Sequence, residues 1–483
     1  MKKKIIVLGD GVAGVSVACL LAKQLPRDSV SIQVIRDREA NAELPEFARS
    51  TIHRFHDLIG LPERNVVFNS NANFGFGVWY QSDKRNYILA EGIYGSPLDG
   101  ADFLSAFFTG LELGIPYRLD DFSLNAVAAR SGRFGHPIAD PASIYSVIQY
   151  GLHLEPISYA HLLKHHALSL GVQFLASESK SIKFSGDELM SIELADGEVI
   201  EGDLYINCSR HMSQQSQNLM VGESGSIETI FDSIAYGHRP LSRDTKRTVQ
   251  LQEDENGFLQ SIPLRNTEYL AYAYSSRHTD SVAVHKKLNL MGADSVAVKQ
   301  LAQIPISQRW IRNCVDLIVE PSLYDLFMSP LSRVRDGAVR LLDLLTSFED
   351  YSDAAYEFNR LTNRDNNQVR EFVELNLYSV RNTVIAAGDY FQANALSESA
   401  QHRLDLFAAY GRHPQHAGAI LSDVEWSVFW SGNQFLPKTT NPGLFKPEPE
   451  SVKNHLYQLK EFIYKAVDKM PMHVDYLSRV THS

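Results

Sequence analysis

Ile5-Ile6-Val7-Leu8-Gly9-Asp10-Gly11-Val12-Ala13-Gly14 is the stretch that decides how this chain is read. Ile5 to Leu8 is an unbroken apolar run, the pattern of a parallel strand buried on both faces. Val15 to Lys23 continues as an apolar helix rich in Ala and Leu, and a second strand, Ser31 to Ile35, ends at Arg36-Asp37. Strand, glycine-rich turn, helix and strand together take about the length of one βαβ unit. A GxGxxG spacing carries little alone and gains value between a strand and a helix. Gly9 allows the tight turn, Gly11 lets backbone approach a pyrophosphate, and Gly14 lets helix and strand pack closely. The helix N-terminus adds free N–H groups and the positive end of its dipole. Gly9, Gly11, Val12, Ala13 and Gly14 are therefore candidate cofactor contacts. The competing reading is a glycine-rich turn in a purely structural βαβ unit. Asp10 sets a carboxylate beside the expected phosphate unless its side chain points away. Asp37 is the candidate ribose ligand, but Arg36 precedes it, and the sequence leaves open which of them turns inward.

Working outward, residues from about 40 to 150 read as irregular, with many aromatics and glycines. Ala160 to Leu170 is helical, and Val172 to Leu175 follows as a strand. Ser181–Phe184, Ser191–Leu194 and Glu198–Ile200 form a meander leading into Asp203–Cys208, a strand expected to return to the first sheet. Strands near Ser226–His238, Arg247–Leu251 and Tyr269–Ser275 predict a second, antiparallel sheet. After Trp310 the character turns helical, with apolar residues at helical spacing in Leu341–Phe348, Tyr356–Tyr378 and Ser397–Ala409.

The 483 residues carry a formal net charge of −11, with 44% hydrophobic and 21% charged residues. That balance argues against nucleic acid as a partner, since phosphate contacts need a basic face. Cys19, Cys208 and Cys314 lie far apart with no CxxC, so they read as buried thiols in a reducing compartment. Lys2-Lys3-Lys4 and the apolar run after it lack the long apolar stretch of a signal peptide, and Asp10 and Gly11 interrupt them. No apolar run approaches the ~20 residues of a membrane span. A cytoplasmic protein with no membrane partner is expected. His165-His166 and His413 with His416 lack a carboxylate or cysteine at ligand spacing, so solvated or capping histidines are expected rather than a metal. Ser209-Arg210-His211 lacks the glycines of a hydrolase elbow. Glu349-Asp350 reads as the acidic turn before a helix.

In order along nearly its whole length, the chain resembles the flavin-dependent tryptophan halogenase family. Gly9 to Gly14 is similar to its GGGTAG. Ser50 to Gly60, with Phe55-His56, resembles IPSIxxFHxxLG. Tyr150 to Val172, with His153-Leu154-Glu155, resembles its YHFD…LRxxAxxxGV segment. Asp203 to Ser209 resembles DLFIDCSG, Tyr272 to Arg277 YxYSS[RK], and Trp310 to Val315 WVKNCV. Phe358-Asn359-Arg360 with Val369 to Val373 is similar to FNR…IRDFI, and Trp426 with Gly432-Asn433-Gln434 and Pro437 to WxxxxxGQxxxP. The resemblance implies an α/β chain: a Rossmann-like FAD/NAD(P)-binding fold, a second antiparallel-sheet substrate lobe and a helical C-terminal part. The corresponding domain reading is 1–220 and 300–350 for the FAD-binding lobe, 60–150 and 221–299 for the substrate lobe, and 351–483 for the helical region. It implies FAD as cofactor, reduced by a separate flavin reductase, and a homodimer or a paralogous partner.

The family's functional positions are where the chain departs. In that family, reduced FAD, oxygen and chloride yield hypohalous acid, which travels to a lysine beside the substrate while a glutamate supports the charge developing on the indole. The lysine segment, ATFKLGIRF, matches Ala72 to Tyr80 and puts Gly75 at the lysine position; Lys84 lies nearby in sequence but on a different backbone path. The glutamate segment, GFLEPLESTG, falls on Ser322 to Leu331 and puts Met328 at the glutamate position; Glu320-Pro321 reads as a displaced Glu-Pro, and that shifted register would put Leu323 there instead. The catalytic residues are accordingly unknown. WxWxIP becomes Gly257 to Pro263, with Phe258 and Gln260 for the tryptophans, and Phe258 is expected to fill the same space as a core aromatic. The flavin-facing GVGEAT becomes Glu43-Leu44-Pro45-Glu46-Phe47-Ala48, whose side chains would crowd the ring. Arg210 replaces the glycine of DCSG, and either holds a phosphate or fills vacated space. Three readings follow, in order: an FAD-binding relative that has lost standard halogenation and retains oxidoreductase or monooxygenase chemistry; a non-catalytic binding or partner protein, that is, a pseudoenzyme; and a halogenase using relocated residues.

Overall fold

The N-terminal apolar run becomes strand β1, Lys3–Leu8, flanked on both sides by parallel partners in a computed structural model that describes residues 2–36, 44–209, 230–243, 245–301, 309–318, 322–413, 418–438 and 448–482. The chain separates into two units. One comprises Met1–Ala72, Leu154–Asp232 and Gln300–Asn367, the other Asn73–His153, Ser233–Lys299 and Gln368–Ser483.

The first unit holds an eight-stranded sheet in the order Val199–Ile200, Glu188–Leu194, Gln173–Ser185, β2 (Val30–Arg36), β1, Leu204–Asn207, Cys314–Asp316, Arg309–Ile311. The strands from Gln173–Ser185 to Cys314–Asp316 run parallel, and antiparallel hairpins extend both ends. Ile5 to Leu8 are buried on both faces, which is why that strand reads as continuous apolar sequence. Helix α1, Val12–Gln24, is buried from Val12 to Ala22 and ends just before Pro26, where the residue ahead of a proline leaves the helical region. The helices Pro156–Ser169 and Pro330–Leu344 pack against it. The first starts at Pro156 under Glu155, whose carboxylate accepts from the N–H groups of Ile157 and Ser158. The meander packs Leu189, Ile192, Leu194 and Ile200 around Ile6, Leu8 and Tyr205. Asp203–Cys208 returns to the first sheet as expected, with Leu204–Asn207 parallel to β1.

The second unit holds a seven-stranded sheet in the order Asp294–Gln300, Ser233–Pro240, Thr267–Tyr274, Gly257–Pro263, Val249–Asp254, Gly77–Gln81, Asn86–Ala90. From Ser233–Pro240 to Val249–Asp254 it is antiparallel as expected, Val249–Asp254 then runs parallel to Gly77–Gln81, and Gly77–Gln81 pairs antiparallel with Asn86–Ala90. Helix Ser281–Leu290 covers one face with Val284 and Leu288. The part of the expected strand before Ile230 lies outside the described residues.

The stretch expected to be irregular is instead ordered. It contains the helices Thr51–Ile59, Glu63–Asn69, Phe103–Glu112 and Leu124–Ser131 and the strands Asn73–Gly75, Gly77–Gln81 and Asn86–Ala90. These elements are short, and local caps help to fix them: Asp102 accepts from Ser105 N–H and Ser123 from Ala126 N–H. The helix expected at Leu341–Phe348 spans Pro330–Leu344, begun by Pro330 in its first turn. Further on lie the helices Ser352–Ser379, Glu398–Tyr410, Asp423–Gly432, Pro449–Asp468 and His473–His482. Among the described residues no helix is long and apolar enough to cross a membrane.

Candidate functional site

In the first unit the parallel register sets Leu8 beside Asn207 and Asn207 beside Asp316, so three strands end together. The chain segments after them, Gly9-Asp10, Cys208-Ser209 and Leu317-Ile318, lie outside the carboxyl edge of the sheet, where open α/β sheets bind ligands. Gly9 has φ +103°, and a Cβ there would lie 3.0 Å from the carbonyl oxygen of Cys208. A Cβ on Gly14 would lie 1.9 Å from the carbonyl oxygen of Gly9. Both positions therefore require glycine, and both bring backbone close to backbone. Gly11 is the N-cap of α1, in extended conformation and with no side-chain cap, so the first-turn N–H groups of Val12, Ala13 and Gly14 face the turn without a side-chain acceptor. That is the donor set an anionic pyrophosphate takes. Asp10 does not oppose it: its carboxylate pairs with Lys164 on the helix Pro156–Ser169 at 3.3 Å. The turn thus fits the pyrophosphate end of a dinucleotide. Cys208 is only half-buried on this turn, unlike the buried Cys19 and Cys314. Arg36 ends β2 exposed, whereas Asp37, Glu43, Arg210 and Glu320-Pro321 lie outside the described residues.

Of the segment matched to the flavin-facing glycines, Pro45 to Ala48 is buried. Glu46 is 1% exposed and is gripped by Arg335 of the helix Pro330–Leu344, with Arg335 Nη1 at 2.9 Å. Ser329 Oγ donates to the same carboxylate at 2.6 Å. Met328, one residue earlier, is half-buried between a 3-10 turn, Leu323–Leu326, and that helix. Asp325 is the described carboxylate nearest in sequence. It is committed to capping Ser322 N–H at 3.0 Å and to Arg333 at 3.4 Å. In the sequence, Glu46 reads only as a side chain that would crowd a cofactor, and no near neighbour reveals its anchor Arg335, 289 residues away.

In the second unit, Asn73–Gly75 pairs antiparallel with Gly151–Leu154, which sets Asn73 opposite His153 and Gly75 opposite Gly151. His153 is buried, and its Nδ1–H donates to the carbonyl of Pro263 at 2.8 Å. That fixes the tautomer and leaves the lone pair on Nε2. Burial lowers its pKa from the usual 6.5 to about 4, so the ring is neutral at pH 7. A Cβ on Gly75 would lie 2.2 Å from that Nε2. Where the sequence comparison expects a lysine, the space next to the strand is therefore filled by imidazole. In the sequence, His153 stands out only as part of the segment that resembles YHFD. Lys84 stands exposed in the turn after Gly77–Gln81. Phe258 and Gln260 are both buried in the strand Gly257–Pro263, Phe258 opposite Glu253 and Ala273.

The remaining histidines divide. His166 caps the helix Thr51–Ile59 by donating to the Ile59 carbonyl at 2.8 Å, and His165 is exposed. His413 is not solvated as expected: it is buried and accepts from Trp430 Nε1 at 2.6 Å, because the aromatic helix Asp423–Gly432 packs over it. His416 lies outside the described residues. Asp350 caps the helix Ser352–Ser379 through Ser352 N–H at 2.9 Å.

The family model described as Tryptophan halogenase matches residues 4–447 of the chain. No curated protein matches its sequence. Solved structures that share its fold include three flavin-dependent or tryptophan halogenases. BrvH, a flavin-dependent halogenase from Brevundimonas sp. BAL3, matches with a TM-score of 0.91 at 22% identity, covering 99% of each chain. Xcc4156, a flavin-dependent halogenase from Xanthomonas campestris, matches at 0.90 and 23% identity, covering 99% of this chain and 98% of that one. SttH, a tryptophan 6-halogenase from Streptomyces toxytricini, matches at 0.86 and 18% identity, covering 99% of each.

Proposed function

We infer the function from one premise: the chain belongs to the tryptophan halogenase family. We propose that it is an FAD-binding protein that does not perform standard halogenation and acts as a flavin-dependent oxidoreductase or monooxygenase, supplied with electrons by a separate flavin reductase in the cytoplasm. The observation that carries this reading is Gly75 against His153, with imidazole 2.2 Å from where a lysine's first carbon would begin. A neutral ring with its lone pair on Nε2 accepts a hydrogen bond or a proton, but brings no ammonium to hold and orient hypohalous acid. Met328 likewise offers a thioether where a carboxylate would be needed.

On the cofactor side, Gly9, Gly11, Val12, Ala13 and Gly14 would hold the pyrophosphate on backbone N–H groups, with Lys164 neutralising Asp10. Asp37 is assigned the ribose. Bound FAD would supply two-electron redox chemistry and, when reduced, reactivity with oxygen. The protein's own part is to bind it at the glycine turn and to keep the neutral His153 at the substrate strand. A second reading, a non-catalytic partner of a homodimer or of an active paralogue, is favoured by one observation. Pro45, Glu46 and Phe47 are packed inward and Glu46 is committed to Arg335, so the segment lacks the bare glycine backbone that flavin-facing turns present.

The test is a titration of the purified protein into FAD, followed by quenching of flavin fluorescence. Saturable binding in the micromolar range or tighter is expected. With a flavin reductase, NADH and oxygen, turnover with no halogenated product at any chloride concentration is expected. Failure to bind FAD at high concentration overturns the flavoenzyme reading in favour of the partner protein, and a chloride-dependent product overturns the loss of halogenation.

A further inference from the structure

Helix Ser281–Leu290 covers only part of the sheet face on which it packs in the second unit. It seats Val284 and Leu288 against Leu259, Leu270 and Tyr272, and it ends at Met291. Past its end the same face opens into a cavity of about 250 Å³, to which Leu259, Leu270 and Met291 contribute the apolar part. The strand register fills the rest with polar side chains: Gln250 stands opposite Ser261, Ser261 opposite Leu270, and Arg239 opposite Glu268. Phe258 and Gln260 alternate with Leu259 and Ser261 along their strand and so point to the other face. Neither Gly75 nor His153 lines this cavity.

A sheet face turned to water carries polar residues without any ligand. Glu268 does not fit that account, since it lines the cavity yet is only 2% exposed. It accepts from Ser261 Oγ and, at 2.8 Å, from Arg239 Nε. A carboxylate has about four acceptor positions, so capacity remains on its oxygens. Arg239 also donates from Nη1 to the Met291 carbonyl at 2.6 Å. Among the described residues its Nη2, the Gln250 carboxamide and the Thr245 hydroxyl have no hydrogen-bond partner. Open donors and open acceptors thus stand side by side around an ion pair. Lys246, at the exposed rim, donates to the Arg130 carbonyl at 3.2 Å. An anion drawn to Arg239 meets Glu268 as well, and a cation drawn to Glu268 meets Arg239, so the pair favours neither sign. A hydroxyl is donor and acceptor at once, and neighbouring hydroxyls on one ring satisfy both partners. Among the described residues no aromatic ring lines the cavity, so it lacks the platform on which a nucleobase stacks. Its size is below the roughly 300–1,000 Å³ of pockets for drug-sized ligands, which suits a single ring.

We propose that this cavity is a binding site for a neutral monosaccharide. Glu268 accepts from one ring hydroxyl, Arg239 Nη2 and Gln250 donate to its neighbours, and the C–H face of the sugar packs on Leu259 and Leu270. The site is additional to the flavin reading and does not depend on it, because it rests on the second unit alone and its test contains no flavin.

The experiment is saturation-transfer NMR on the full chain with the methyl glycosides of glucose, mannose and galactose. Tetrahydropyran serves as the same ring without hydroxyls, and glucuronate and glucosamine as the charged counterparts. Transfer to at least one glycoside is expected, with none to tetrahydropyran and weaker binding of both charged sugars. Glu268→Gln is expected to weaken the glycoside roughly tenfold or more, the loss of one hydrogen bond to a charged group. Should Glu268→Gln fail to fold, Gln250→Leu decides alone: its half-buried carboxamide gives up no protein partner, and it is expected to weaken binding by roughly threefold or more. No transfer to any glycoside, equal transfer to tetrahydropyran, tighter binding of glucuronate or glucosamine than of the glycosides, or unchanged affinity in Gln250→Leu would each overturn the proposal.

Discussion

Gly75→Ala tests the central geometric claim with a single methyl group. The new Cβ would sit 2.2 Å from His153 Nε2 and within 3.0 Å of two further ring atoms. Ordinary contacts begin near 3.5 Å, so the imidazole has to move by more than an ångström. Gly75 is not among the glycines with positive φ, so alanine brings no backbone strain and should gain about 0.4–1 kcal/mol by restricting the unfolded chain. Against that gain, moving the ring breaks its bond to the Pro263 carbonyl, worth about 0.5–1.5 kcal/mol. Overpacking a filled core costs a further ~1–3 kcal/mol. Net destabilisation of roughly 1–3 kcal/mol is expected from these opposing contributions. In a His153→Ala background the obstacle is gone, and Gly75→Ala should become neutral or mildly stabilising. A double-mutant cycle read by urea denaturation and tryptophan fluorescence measures this, with an expected coupling of ~2 kcal/mol. The same cycle with lysine addresses chemistry: Gly75→Lys alone should not yield a halogenating enzyme, since the ring stands in its path. If Gly75→Ala matches the parent in stability, or costs as much without His153 as with it, the account of this site is wrong.

Gly14→Val should weaken FAD binding at least tenfold and lower the melting temperature, because its Cβ would fall 1.9 Å from the Gly9 carbonyl oxygen; a variant that binds FAD like the parent would remove the glycine turn from the cofactor site. Arg335→Met strands the buried Glu46 carboxylate and should cost about 3–5 kcal/mol in denaturant unfolding, while Arg335→Met with Glu46→Met should cost clearly less than the single change. Stability should also fall in mild acid. Burial holds His153 near pKa 4 and His56 and His413 near 3, against 6.5 when unfolded, so below pH 6.5 the unfolded chain binds protons that the folded chain refuses. Their contribution is whole above pH 6.5 and drains away as pH falls toward 4 and 3, by up to ~1.4 kcal/mol per pH unit per histidine. His153→Gln should flatten melting temperature against pH between 7 and 4.5; a slope unchanged from the parent would show that His153 is not held neutral.

What was legible in the sequence was mostly local. Gly9 and Gly14 announce themselves because the tight turn and the close approach involve residues a few positions apart, and only glycine satisfies both. Ile5 to Leu8 and the return strand at Leu204–Asn207 were legible because burial on both faces leaves an apolar run. The stretch from 51 to 131 was not legible: its helices and strands are short and interleaved, so caps and tertiary packing weigh heavily in deciding them. His413 was misjudged because its surroundings come from a helix that starts ten residues later and closes over it.

The sequence by itself determined the βαβ start, the family resemblance and the absence of lysine at position 75, since each is a matter of residue identity and near-neighbour spacing. Only the tertiary structure decided what takes the lysine's place and where the charges go. His153 meets Gly75 because two strands far apart in the chain pair at that register. Asp10 is neutralised by a lysine 154 residues away, and Glu46 by an arginine 289 residues away. Arg247 is held by the carbonyls of Leu264 and Arg265, 17 and 18 residues away. Hydrogen bonds and ion pairs act over a few ångströms of space, and no spacing along the chain encodes which distant groups the packing of strands and helices will bring that close.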